Sequence, residues 1–238
     1  MKFTFAQVEK TLALTHNVDE TRRSAFAARL KHLQKMKFPP GVNTGRGRAA
    51  SYDVGHICLL GVALELNQLG LSPERAVGVI TSDHGAIASA FLRAAEEGPP
   101  NGSFLQPMFL YLDPAGLTDL MIDHGRDRAA RSFYYIDLDS LIKNLQKWGT
   151  GGLSRLSLVS VSAMLWDLAS YSRRQKDPET SAFYEAAKEW ASSVARTAAR
   201  TAAAESFAAF VRTRPDQGRR RLLDRTDFAR GKPNKGKV

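Results

Sequence analysis

Between Arg22 and Arg48 the chain carries eight lysines and arginines, namely Arg22, Arg23, Arg29, Lys31, Lys35, Lys37, Arg46 and Arg48, and not one aspartate or glutamate. Like charges this close repel one another unless an external anion neutralises them, and duplex DNA presents phosphates at a matching density. The apolar residues of the same stretch, Phe26, Leu30 and Leu33, fall at i, i+4 and i+7, which predicts a helix with one buried stripe. Lys31 and Lys35 lie opposite that stripe, so they project away from the core. Arg22 and Arg23 sit in the first turn.

The neighbouring text predicts the frame around this helix. Phe5, Val8 and Leu12 recur at helical spacing behind Thr4 as a cap, and THNVDE turns the chain with Asp19 as the next cap. The two helices form a helix-turn-helix candidate. Pro39 and Pro40 end the second helix at Phe38, and a glycine-rich basic loop follows, GVNTGRGRAAS. The glycines of Gly45-Arg46-Gly47-Arg48 let backbone approach a phosphate, and the two arginines can reach phosphate or a minor groove. Tyr52 to Leu69 then reads as a helix apolar on most of its circumference. Gly70 stops it, and Ser72-Pro73-Glu74 caps a fourth helix that Gly78 or Ser82-Asp83-His84-Gly85 could split.

Beyond Gly98-Pro99-Pro100-Asn101-Gly102 the pattern changes to aromatic and large apolar residues at 104 to 112 and again at 132 to 136, which predicts two strands. Asp113-Pro114 and Asp139 read as caps of the helices that follow, so residues 103 to 148 form a small α/β module. Leu153 to about Arg174 is helical text, and an alanine-rich helix runs from Pro178 to about Val211 with Phe183, Trp190, Val194 and Phe207 on its apolar side. Its spacing is not a sustained heptad, which favours packing within its own chain over pairing with a second copy. From Arg212 onwards ten basic and three acidic residues give a net charge of +7, and disorder is expected. The expected fold is therefore mainly α with a small α/β module. Its divisions are 1–98, a winged helix-turn-helix; 103–148, the module; 153–211, a helical region; and 212–238, a basic disordered tail.

Three segments, LKHLQKMKFPP at 30 to 40, GRGRAASYD at 45 to 53 and LNQLGLSPERAV at 66 to 77, together resemble the winged helix-turn-helix DNA-binding domain of MerR-type transcription regulators. The resemblance covers about a third of the chain. It implies that Arg22, Arg23, Arg29, Lys31, His32 and Lys35 belong to a recognition helix, with Arg46 and Arg48 in the wing and Tyr52 at its end. The family continues into a long dimerisation helix, where this chain has a Pro/Gly break and an α/β segment instead.

The net charge of +10 and a sequence pI near 9.9 make polyanions the first partners to consider. A single cysteine, Cys58, excludes an internal disulfide and a multi-thiolate metal sensor. No cleaved leader and no membrane span are expected, and a cytoplasmic, nucleoid-associated location follows. Asp83-His84, Asp123-His124 and the Asp137/Asp139 pair could bind metal or move protons, but caps and turns account for them more simply. No cofactor and no enzymatic activity are expected. The expected function is a sequence-specific, double-stranded DNA-binding transcription regulator, with a homodimer or a protein partner engaged through the middle or C-terminal region. The rival readings are an architectural protein of DNA packaging or recombination and an enzyme centred on residues 104 to 148.

Overall fold

The computed structural model describes residues 1–42, 49–101, 103–112, 134–148, 156–176 and 179–213, with backbone alone at Trp148, at 174–176 and at 202–213. The chain is mainly helical with a small three-stranded antiparallel sheet. It divides into two compact units, Met1–Ala195 and Arg196–Val238. The expected boundaries at 98 and 148 do not separate compact bodies, because one hydrophobic core runs from Phe3 to Ala191.

Helix α1 spans Phe5–Thr15, and its start is fixed by a capping box. The Gln7 backbone N–H donates to Thr4 Oγ1 (3.3 Å), and the Thr4 N–H donates to Gln7 Oε1 (2.9 Å). After a turn, Asp19 accepts from the Thr21 N–H (2.8 Å) and caps a single 3-10 turn, Glu20–Arg22, which leads directly into α2, Arg23–Lys35. Helix α3, Val54–Gln68, buries residues all round and is the central post of the core. Cys58 lies within it, and burial pushes its thiol well above the usual range.

Three helices end in the same way. The N–H of the residue after the left-handed position returns to the carbonyl five residues back, at Val18 to Ala13, Phe38 to Leu33 and Leu71 to Leu66. The left-handed residues are Asn17, Lys37 and Gly70. Asparagine and glycine suit that conformation; lysine does not.

Ser72 and Pro73 start α4, Pro73–Ser82, as the sequence indicates, and the chain breaks at Asp83 before α5, His84–Glu97. Gly78 stays inside α4 and does not split it.

The sheet has the order β2-β1-β3, with β1 at Met108–Leu112, β2 at Tyr134–Asp137 and β3 at Ser157–Ser160. The third strand corrects the expectation of continuous helix from Leu153. Residues 157 to 160 pair with β1 (Leu110 opposite Val159, Tyr111 opposite Leu158), and helix α7 begins only at Val161 and runs to Lys176. This strand from beyond residue 148 also means that the module is not self-contained. Helix α5 packs on β1 and β2, α7 packs on β1, and α1 packs chiefly on α7. Helix α6, Leu138–Trp148, is capped by Asp137 rather than Asp139: the Ser140 N–H donates to Asp137 Oδ1 (2.8 Å), which holds that carboxyl below its ordinary pKa. Helix α8, Thr180–Thr213, buries Phe183, Tyr184, Ala187 and Ala191 within the first unit, in line with the intramolecular packing expected of it.

Candidate nucleic-acid interface

The stripe Phe26, Leu30 and Leu33 is buried, and this fixes which way α2 faces. Arg22, Arg29, Lys31, Lys35 and Lys37 are all exposed, and so are Ser24, Ala25 and Ala28 on the same helix. Cations therefore surround a smooth, small-residue surface. Such a surface lets a helix come close to another body while long side chains reach around it. The Lys31 ammonium stands 6.0 Å from the centre of the Phe5 ring, which draws it towards α1.

Not every expected cation is free to meet an external anion. The Arg23 guanidinium is held by Glu9 (3.2 Å) and Glu20 (3.4 Å), and its side chain is only 18% exposed. The acids that neutralise it lie outside the acid-free stretch and reach it through the α1–α2 turn. Arg23 thus ties the helix pair together. Arg23→Ala is expected to lower folding stability by about 1 kcal/mol in urea denaturation. Affinity for duplex DNA should change by less than about twofold.

His32 is exposed, and its Nε2 lies 3.2 Å from Glu74 at the start of α4, so the ring braces α2 against α4. Tyr52 is a correction. It is 1% exposed, and its hydroxyl accepts from the Gln34 side-chain amide. Burial raises its pKa. Its backbone exchanges hydrogen bonds with Phe3 (2.8 and 3.0 Å) in an isolated antiparallel bridge. An aromatic this deep anchors the chain and does not meet a phosphate.

Arg46 and Arg48 lie outside the described residues, but both stems of their loop are pinned. On the exit side stands the Tyr52 bridge. On the entry side His56 Nε2 sits 3.0 Å from the Pro40 carbonyl oxygen. On the ring's other side Nδ1 stands 3.1 Å from the Asp53 backbone nitrogen and 3.0 Å from the Asp53 carboxylate, so the imidazole spans the start of α3 and Pro40. His56 and Gln34 escaped the sequence reading. The Asp53-x-x-His56 spacing is that of a capping box with His in the place of Glu or Gln, and it is the signal that could have revealed the first of them.

Lys37 sits at φ +60° where glycine is preferred. A strained residue held at the edge of a charged surface suggests that its side chain is wanted there. Lys37→Gly is expected to raise stability by about 0.5–1 kcal/mol while weakening duplex binding by roughly fivefold to tenfold at about 0.1 M salt. Thermal melts and binding titrations on one preparation check both signs.

Elsewhere, Asp83 closes α4 and His84 is half-buried against Trp190 (ring centroids 6.1 Å), where burial lowers its pKa. Asp113, Asp123 and His124 lie outside the described residues. Among the described residues no group of three or more His, Cys, Asp or Glu could hold a metal, and no helix is long and apolar enough to cross a membrane. Compared with known proteins, the chain matches no family model, no curated protein and no solved structure.

Proposed function

We propose that the protein binds double-stranded DNA through α2 and acts as a transcription regulator, with the 43–48 loop as a wing beside the helix and a nucleoid-associated place in the cytoplasm. The observation that carries this reading is the set of five exposed cations, Arg22, Arg29, Lys31, Lys35 and Lys37, around the exposed Ser24, Ala25 and Ala28. A major groove admits an α-helix whose outer residues are small, and flanking lysines and arginines then meet the phosphates on either side. The described flanks of the segment support the wing assignment: Tyr52 is bridged to Phe3 on one side, and His56 stands against the Pro40 carbonyl on the other. The resemblance of the three N-terminal segments to MerR-type regulators points the same way.

Arg46→Ala with Arg48→Ala is expected to weaken binding to all duplex sequences alike, by roughly tenfold or more at about 0.1 M salt, because phosphate contacts position without specifying. The regulator reading itself is tested by selecting duplexes from a randomised pool with the full chain. Enrichment of one motif supports a regulator. Tight binding without enrichment would instead favour an architectural role, a reading that the +7 charge from Arg212 onwards supports, because a basic tail binds phosphate without regard to sequence.

A further inference from the structure

Among the described residues, the apolar arc of helix α6 is covered on one side only. Leu141 is buried, whereas Leu138, Ile142 and Leu145, at i, i+4 and i+7, are 37%, 47% and 48% exposed. Ile136 and Leu141 are buried apart from the main core, so α6 belongs to a separate apolar grouping. In the same module the sheet turns Tyr134 and Leu158 outwards, on either side of Tyr111 in one cross-strand row, with Tyr111 stacked on Tyr134 at 5.2 Å. Rows of half-exposed aliphatic and aromatic side chains are what a soluble chain covers with a partner.

The charge of this region selects the partner. The described residues of this region carry Asp137 and Asp139 against Lys143 and Lys147, no net charge in a chain of +10. A nucleic acid or an anionic lipid surface would find no excess of cations here. Two copies of a strongly basic chain, by contrast, repel least where their charge is balanced.

The order of charges along α6 completes the choice. Asp139 and Lys143, one turn apart, lie on the same flank of the Leu138/Ile142/Leu145 stripe; one Asp139 oxygen accepts from the Gln106 side-chain amide (3.3 Å), which leaves the other for a lysine. When two such helices pack antiparallel about a two-fold axis near Ile142, equal flanks meet, and Asp139 of each copy lies level with Lys143 of the other. Parallel packing brings unlike flanks together and loses both pairs.

We infer that α6 is the contact of a two-fold dimer, pairing antiparallel with α6 of a second copy of this chain through Leu138, Ile142 and Leu145. The inference stands apart from DNA binding and rests on none of the α2 residues. One short helix and a sheet row per copy make a small interface, so dissociation on the order of micromolar is expected.

Sedimentation equilibrium of the full chain tests it. The wild type is expected to dimerise, and Ile142→Asp to be monomeric with an unchanged circular dichroism spectrum, since residue 142 is half-exposed. Asp139→Lys and Lys143→Asp should each raise the dissociation constant by about tenfold, and the double exchange should restore it. Oxidation of Ile142→Cys, in a chain whose one native thiol is buried, should give a covalent dimer. A monomeric wild type would overturn the inference, whether or not it then bound neutral vesicles, single-stranded DNA or another protein through this face. So would a dimer indifferent to Ile142→Asp, or a double exchange that fails to rescue.

Discussion

Replacing Arg22, Arg29, Lys31 and Lys35 together with glutamine is expected to weaken duplex DNA binding by roughly three to four orders of magnitude at about 0.1 M salt. Each phosphate contact releases counterion, and at that salt a single contact is worth roughly an order of magnitude. The loss should come with little change in folding, less than about 1 kcal/mol, because the four side chains are exposed and only Lys31 leaves an identified contact, the Phe5 ring. Arg23→Ala has the opposite signature, stability lost and affinity kept, since Glu9 and Glu20 already neutralise that guanidinium. The two variants together separate a charged binding face from a charged stretch that merely happens to be on the surface. Loss of affinity in both, or in neither, would break the distinction.

The largest effect on stability is expected at Gly55, near the start of α3. The Trp190 indole from α8 lies directly on its Cα, and a methyl group built there would fall within the ring. Trp190 cannot retreat easily, because it also packs edge-on against Phe91 (5.8 Å between ring centroids) and beside His84. Gly55→Ala is therefore expected to destabilise by about 3 kcal/mol, a fall in melting temperature of roughly 6–12 °C for a chain of this size. Gly78 in α4 is the control. It is exposed with nothing within 4 Å of an added Cβ, so Gly78→Ala should stabilise by about 0.5–1 kcal/mol. Differential scanning fluorimetry of the two variants reads both directions, and a Gly55→Ala chain that melts with the wild type would disprove the close packing of α8 on α3.

Features of the fold that depend on near neighbours were legible in the sequence. Thr4, Asp19 and Ser72-Pro73 stand where helices begin and Gly70 where one stops, because caps and breakers act through backbone groups within a few residues. The direction in which α2 faces followed from Phe26, Leu30 and Leu33 for the same reason. Helix α2 ends at Lys35, three residues short of the Phe38 expected from Pro39, because the chain turns at Lys37. What was hidden depends on pairs distant in sequence. Strand β3 is four residues that run straight into a helix, and only β1, more than forty residues earlier, makes Ser157–Ser160 extended. Tyr52 read as a surface residue at the end of a basic loop until Phe3 and Gln34 closed over it. The acid-free stretch looked uncompensated because Glu9, Glu20 and Glu74 lie before or after it in the chain and beside it in space. Of the residues expected at the site, Arg22, Arg29, Lys31 and Lys35 are exposed, as is Lys37 beside them, whereas Arg23 and His32 face acids and Tyr52 is buried.

Titrating the intact protein with a fluorescent duplex over a series of salt concentrations reads whether the exposed cations on and beside α2 meet the phosphates of a double helix. If Arg22, Arg29, Lys31, Lys35 and Lys37 each meet one phosphate, the logarithm of the association constant should fall with the logarithm of salt at a slope of about −4.5, steeper if Arg46 and Arg48 join them. A slope near zero, or no binding in dilute buffer, would mean that these side chains do not meet phosphate.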